Sequence, residues 1–417
     1  MRIAVVGTGI SGLVCTHLLG AEHQVTVFES EDRPGGHTHT VVVPVDGRQV
    51  AVDTGFLVYN ERTYPGLIRL FDRLGVATEP SDMSFSVADE ARGLEYRGTS
   101  FDTVFAQRRN LLRPDFLRML VDVARFHRAG RKLLAHPRGP GYSLQDLLTE
   151  GGWSQGFIDW YLVPLGSSIW SADPTTFTRM PADTLFRFFQ RHGMLSFGDK
   201  PAWRTVTGGA VHYVDAILDP VRSAGRLQLS SPVEHLLRDD DGVEVRVAGG
   251  DTRRFDHVVV ATHSDQALRM LADPTTAEKD VLGAIHYQPN RVTLHTDASL
   301  MPTNRRAWAA WNYHRSPSVT DRVTMTYHLN QLQNLGCTTP VLVTLNRDED
   351  IDPATVLRRF DYAHPVLDGT AVAAQGRHAE ISGIDGISYC GAYWASGFHE
   401  DGLQSAVTVC RALGVDW

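Results

Sequence analysis

The sequence predicts an α/β protein of two domains, and three observations predict it. The 417 residues exceed one ordinary domain and fall short of three. A short apolar run, "RIAVV", opens the chain and leads straight into glycines at 7, 9 and 12. Helical spacing at Leu13, Val14, Leu18 and Leu19 and a second apolar run, "QVTVF", then complete a βαβ unit within about 30 residues.

The first element reads as a buried parallel strand because its apolar run is continuous. The second reads as a helix ending near Gly20. From about 101 to 136 the pattern is helical and basic. Between 102 and 138, nine Arg or Lys face three Asp, an excess of +6 in a chain of net charge −8. Gly139, Pro140 and Gly141 break this stretch. An aromatic helical region follows, with Trp153, Phe157, Trp160, Tyr161 and Trp170, and then "FRFFQRHGML". Near 225 short strands take over, with a hairpin turning at Asp241-Gly242 and a buried strand ending at Ala261-Thr262. "RVTLHT" and "RVTMTYHLN" read as strands, and "ISYCG" leads through a glycine turn into a helix from about 399.

Composition narrows the function. Hydrophobic residues at 42% and charged residues at 21% are ordinary for a globular protein. The negative net charge argues against nucleic-acid binding. Cys15, Cys337, Cys390 and Cys410 form no CxxC pair, so reduced thiols in a cytoplasmic chain are expected, and neither a zinc site nor a disulfide framework. No run approaches 18 apolar residues, and the N-terminal glycines fall at motif spacing rather than signal-peptide spacing. The histidines lack metal-type spacing, no metal ligand set is legible, and no Ser-His-Asp or Cys-His set is legible either.

Gly7, Gly9 and Gly12 form G-x-G-x-x-G between strand and helix. They permit a tight turn, close backbone approach to a pyrophosphate, and close packing of helix on strand. Ile10, Ser11 and Gly12 open the helix, whose N–H groups and dipole favour phosphate. Glu29 stands after the second strand, where an acid binds ribose hydroxyls. It disfavours a 2′-phosphate, so the ligand is an unphosphorylated dinucleotide, NAD or FAD.

The next stretch, "ESEDRPGGHTHT", resembles the flavin amine oxidase and phytoene desaturase superfamily on Glu29, Ser30, Arg33, Gly35, Gly36, His37 and Thr40. "VDTGFLVYN" follows, and its Asp53-x-Gly55 resembles a flavin-side loop, which draws in Thr54, Gly55, Phe56 and Leu57. "PVEHLL" resembles the strand whose Val233 brackets adenine. "GISYCGAYWASGFHEDGLQSA" resembles the last flavin motif, with Gly391, His399, Glu400, Asp401, Gly402 and Leu403. The resemblance implies FAD as cofactor and a Rossmann-like, glutathione-reductase-like FAD-binding domain over 1–65, 200–275 and 376–417. It also implies a mixed α+β substrate domain over 66–199 and 276–375.

Two departures bear on the reaction. Many amine oxidases place a lysine near the flavin from the segment matching "YQPNRVTLHTD", which contains no lysine. Phe398 replaces a member of their aromatic cage with a ring that donates no hydrogen bond. Within the superfamily, "GGHTHT", "VDTGFLVYN", "FFQRHGML", "WNYHR", "TYHLNQLQNL" and "YWASGFHEDGLQSA" resemble bacterial FAD-binding proteins associated with cyclopropane fatty acid synthases. That resemblance implies an FAD-dependent oxidoreductase of a hydrophobic substrate, a lipid acyl chain, with a lipid methyltransferase as a partner. Amine or polyisoprenoid oxidation is the alternative, and a non-catalytic membrane-recruiting role is a third. The basic stretch 102–138 can rest on anionic headgroups at the inner face of the membrane or form a solvated helical face. The aromatic cluster can line a tunnel or form ordinary core. Candidate catalytic residues are His399, Tyr393, Phe398 and His314, with His328 a further histidine able to face the substrate.

Overall fold

The computed structural model describes residues 1–196, 198, 200–316 and 322–417; the expected boundary at 199/200 abuts a residue outside that set. β1 (Arg2–Val6), α1 (Ile10–Leu19) and β2 (Gln24–Phe28) form the opening βαβ unit. A five-stranded parallel sheet grows around it in the order Leu227–Gln228, β2, β1, His257–Val260, Ile387–Tyr389. Its central strands are buried on both faces, which is why they read as unbroken apolar runs. Ile3 and Val5 pack toward α1 and the helices Val211–Ser223 and His399–Ala412. Ala4 and Val6 pack the other way, toward the antiparallel sheet of Val233–Asp239, Gly242–Val247 and Thr252–Phe255.

A second sheet has seven strands in the order Val356–Pro365, Tyr287–His295, Leu342–Leu345, Met325–His328, Trp311–Arg315, Phe85–Asp89, Leu94–Arg97. One face meets a helical layer. There Ser168 donates to the Met325 sulfur, and the Tyr96 hydroxyl donates to the Trp160 carbonyl. The other face carries a polar ladder in which Thr344 bonds both Thr326 and His295 at 2.8 Å. The strand expected over "RVTMTYHLN" stops at His328; Leu329–Leu332 is a helical turn. The helical layer comprises Pro114–Ala135, Val163–Trp170 and Ala182–Arg191, joined by a π-helical turn at Ile158–Leu162. Phe126, Phe157, Phe186 and Phe189 fill its centre without exposure. The aromatic cluster is therefore core, with Trp170 at its edge toward Phe398.

One buried carboxylate stitches several elements together. Asp53 ends the strand Arg48–Asp53 and accepts from the Ala210 N–H at 3.0 Å, from Gln333 Nε2 at 2.6 Å, and from the Thr40 hydroxyl. Its own N–H donates to Gln333 Oε1 at 3.0 Å. Burial pushes its carboxyl up to about 6 against the pull of these donors. Asp53→Asn turns an amide N–H₂ toward groups that themselves donate. That variant is expected to lose about 1–3 kcal/mol of stability, read as a lowered midpoint in chemical denaturation.

Candidate functional site

The dinucleotide turn is built by steric exclusion. Gly7 has φ +97°, and a Cβ there would sit 2.9 Å from the Ala261 carbonyl oxygen. A Cβ on Gly12 would collide with the Gly7 carbonyl. Gly9 differs: a Cβ there meets no protein atom within 4 Å, so its open side faces space for a ligand. Gly9 also caps α1 with no side-chain bond, leaving the helix N-terminus to other acceptors. Ser11 Oγ donates to the Gly402 carbonyl at 2.8 Å and so ties α1 to the last helix.

Glu29 is only 8% exposed. One carboxylate oxygen accepts from the Thr8 N–H at 3.0 Å and from the Thr8 hydroxyl, and the other from the Glu31 N–H at 3.0 Å and Ser30 Oγ at 3.2 Å. Thr8 Oγ1 in turn accepts from the Gly35 N–H at 3.0 Å. Arg33 donates to the Gly36 carbonyl and pairs with Glu31, both at 2.9 Å, so it shapes the Gly35-Gly36 loop. A Cβ on Gly36 would lie 3.1 Å from Gly9 Cα, which sets that loop beside the open glycine. The Ser231 N–H donates to the Glu29 carbonyl at 2.8 Å, placing Val233 two residues beyond this acid. Ala261 and Thr262 close the adjacent strand under Gly7.

At the other end, His399 begins the helix His399–Ala412 and stacks on Phe56 at 3.8 Å. Its Nε2 lies 3.0 Å from Thr38 Oγ1, which also bonds the Tyr213 hydroxyl. Burial drives His399 down to about 3, so it is neutral. Thr54 donates to the His39 carbonyl at 3.1 Å and meets the Tyr362 hydroxyl at 2.8 Å, and the Gly55 backbone lies hard against the His37 carbonyl. The His37 ring sits 5.1 Å from Tyr362, 5.3 Å from His364 and 6.1 Å from His263. Burial lowers His37 and takes His364 to about 4. Asn290 Nδ2 donates to His364 Nδ1 at 3.1 Å, which leaves the His364 proton on Nε2. Phe398 meets Phe188 at 5.1 Å, with Trp170 and His192 each at 6.3 Å.

Several expected residues do other work. His314 and His328 share the polar face of the seven-stranded sheet. Tyr313 pairs with Met325 and Trp311 with Tyr327 on the helix side, so strand alternation turns both histidines away from Phe398. Tyr393 is buried with Ile285 and Ala371 beneath the Gly391 turn, not beside Phe398. The Glu400 carboxylate accepts from the Gly66 and Leu67 N–H groups at 3.0 and 2.9 Å and caps the helix Pro65–Leu74. Asp401 accepts from the Phe398 N–H at 3.0 Å, and burial lifts it to about 6. Leu403 points into the α1 core and Leu57 into the helical-layer core. Cys15 and Cys390, remote in sequence, lie 3.8 Å apart in the buried interior. Sequence reasoning missed Thr38, Tyr213, His263, Asn290, Tyr362, His364, Phe188 and His192. Thr38, inside "GGHTHT", and Phe188 and His192, inside "FRFFQRHGML", lay in stretches the sequence had singled out; the others had no local signal.

The residues fit a flavin dinucleotide. Gly9 leaves open space, α1 is uncapped, and His37 Nε2 is buried with no hydrogen-bond partner among the described residues. The Gly7–Gly12 turn would hold the pyrophosphate, Glu29 the adenosine ribose, the Val233 backbone the adenine, and the 37–38, 54–56 and 399–402 segments the ring end. In a cleft of about 480 Å³ elsewhere, Arg315 pairs with both Asp89 and Asp159. Among the described residues no helix is long and apolar enough to cross a membrane, and no cluster of His, Cys, Asp and Glu is placed to hold a metal.

Residues 10–362 match the family described as flavin containing amine oxidoreductase. A flavin-dependent L-tryptophan oxidase of Lentzea aerocolonigenes is 26% identical over 296 residues, 65% of this chain and 56% of that one. The chain thus spans little more than half the length of that curated relative. Cyclohexylamine oxidase of Brevibacterium oxydans has the same fold, with a TM-score of 0.72 at 16% identity over 99% of each chain. A fatty acid isomerase of P. acnes that produces CLA superposes with a TM-score of 0.69 at 16% identity, again over 99% of each chain.

Two predictions follow from the geometry. Gly9→Ala adds its one carbon to open space, so the fold should persist while flavin affinity falls at least tenfold, about 1.4 kcal/mol; melting of the flavin-free protein and flavin titration separate the two. The second concerns acid. His364 and His399 have folded pKa values below their ordinary 6.5, so the stability they allow is present above 6.5 and is lost as pH falls toward about 4. Asp53 and Asp401, held near 6, oppose this between about 4 and 6 because the folded state takes up their protons more readily. His364→Gln should therefore reduce the acid-induced drop in the melting midpoint of flavin-free protein between those limits.

Proposed function

The chain belongs to the flavin containing amine oxidoreductase family and is an FAD-dependent oxidoreductase, and on that premise we propose that it oxidises an uncharged, hydrophobic substrate: a lipid acyl chain activated by a double bond. The observation that carries this reading is the surroundings of Phe398. Its ring contacts are Phe188, Trp170 and His192, all aromatic. Aromatic faces return only about 2 kcal/mol to an ammonium taken out of water, whereas a carboxylate or several carbonyls would replace its hydration more fully. These rings offer no carboxylate, and burial lowers the pKa of His192, favouring its neutral form. In the strand Tyr287–His295, which carries no lysine, Asn290 engages His364 and Tyr287 stacks on His263 at 4.2 Å.

Bound FAD supplies the acceptor for the hydride equivalent that leaves the substrate. The chain does the rest. Phe398 and Phe188, stacked at 27°, form an apolar wall that excludes water from the reacting carbon. The N-terminus of the helix His399–Ala412 favours negative charge nearby, and the neutral His399 does not compete with it. The His192 Nδ1 faces the Phe188 carbonyl at 3.0 Å, which leaves Nε2 to accept from Thr63 at 3.2 Å. The competing reading, amine oxidation, is favoured by the L-tryptophan oxidase relative.

Anaerobic mixing decides between them. Unsaturated phospholipid should bleach the flavin absorption, whereas cyclohexylamine and L-tryptophan should not; bleaching by either amine and not by lipid overturns the reading. Phe398→Ala should lower kcat/KM for the lipid about 10- to 100-fold, about 1.4–2.7 kcal/mol, with flavin absorption retained.

A further inference from the structure

We propose that the outer face of residues 101–132 docks the protein on an anionic lipid surface. The inference deepens the acyl-chain reading by naming where that substrate is met, yet it stands on surface features alone. Nine large hydrophobic side chains are exposed among the described residues, and five of them fall within 101–121: Phe101, Leu111, Leu112, Leu117 and Val121. Phe101 is 78% exposed, Leu112 86% and Val121 54%. Folding does not require this: the inner face of the same helix, Pro114–Ala135, is satisfied by Phe116, Met119, Val123 and Phe126. The outer face continues past Val121 as Ala124, Arg128 and Lys132, all exposed and at helical spacing.

The charge beside these apolar side chains is positive and poorly neutralised. Asp102 is shared by Arg108 and Arg306, and the buried Asp122 by Arg118 and Arg125, so these two acids are each spanned by two guanidinium groups, while Asp115 pairs with Arg113 alone. Arg109 and Arg131 donate to backbone carbonyls of Gly93 and Leu195 and pair with no acid among the described residues. The Arg128 and Lys132 side chains, on the helix Pro114–Ala135, have no hydrogen bond or ion pair among the described residues. Apolar side chains standing singly among arginines match a membrane interface, where acyl carbons lie just below phosphate oxygens. A second copy of the same face would bring like charges together, which disfavours a symmetric dimer here.

The test uses the full-length, flavin-loaded protein and sedimentation with two vesicle types: phosphatidylcholine alone, and phosphatidylcholine with an equal share of phosphatidylglycerol. Binding should favour the anionic vesicles and weaken as salt rises to ~0.5 M. Phe101→Ser with Leu112→Ser, and separately Arg128→Glu with Lys132→Glu, should each weaken binding roughly tenfold or more while melting and flavin absorption stay as in the parent. Equal binding to both vesicle types, variants that bind like the parent, or a concentration-dependent dimer abolished by Leu112→Ser would each overturn the proposal. Vesicle binding without flavin bleaching by lipid would leave the surface standing and overturn the substrate reading. Bleaching by detergent-dispersed lipid without vesicle binding would do the reverse.

Discussion

The first helix lies so close to the end of the first strand that Gly12 has no room for one carbon beside the Gly7 carbonyl. The rest of the cofactor end depends on that approach. It presents the α1 N-terminus and leaves Gly9 open. It also sets Thr8 where a single side chain joins Glu29 to the Gly35 backbone. The glycine turn, the acid and the double-glycine loop are thus one hydrogen-bonded unit rather than three motifs. The chain's last helix is drawn into the same unit by the Ser11 bond to Gly402.

Charge is removed from the ring end of the site by two separate devices. Burial keeps His37, His364 and His399 neutral, each held below its ordinary range. The acids that open the last helix are turned into caps, Glu400 for the helix Pro65–Leu74 and Asp401 for its own first turn. What remains is a weakly polar region in which a helix dipole and fixed N–H groups act with little competition. Such surroundings suit a reaction whose charge appears on a bound cofactor and whose substrate brings none.

The cofactor half of the site was legible because its signals are local. Gly7, Gly9, Gly12, Glu29 and Gly35-Gly36 lie within 30 residues of one another, and each spacing has a steric reason. The substrate half was not legible. His314 and His328 sit in strand-like sequence, but which way a strand residue points depends on register with its neighbours, and a shift of one residue reverses it. Only the pairing of Tyr313 with Met325 settles that both histidines face the polar ladder. His364 and Tyr362 come from a strand more than 300 residues beyond His37, and Asn290, which holds His364, comes from another strand about 250 residues beyond it. Glu400 and Asp401 matched a motif by position, yet their carboxylates answer helix-capping needs that the motif does not encode. Cys15 and Cys390 looked unrelated for the same reason: their contact belongs to tertiary packing.

The helix Ala182–Arg191 ties the two functional surfaces to one piece of structure. Phe186 and Phe189 face outward from the site into the core under the helix Pro114–Ala135, where Gly130 exists so that the Phe186 ring can lie against its backbone. Phe188, from the same helix, faces the other way and stacks on Phe398. One helix therefore separates the exposed apolar and basic face from the aromatic wall of the site. The core between them is filled, with Phe126, Phe157, Phe186 and Phe189 wholly buried, and close-packed aromatic rings leave no passage for a chain of methylenes. On the acyl-chain reading, a lipid met at the proposed surface would have to reach Phe398 around the edge of this layer and not through it. Trp170, bonded to the Ser396 carbonyl at 3.0 Å just before the last helix, stands where the layer meets the flavin end and is the core aromatic best placed to meet it.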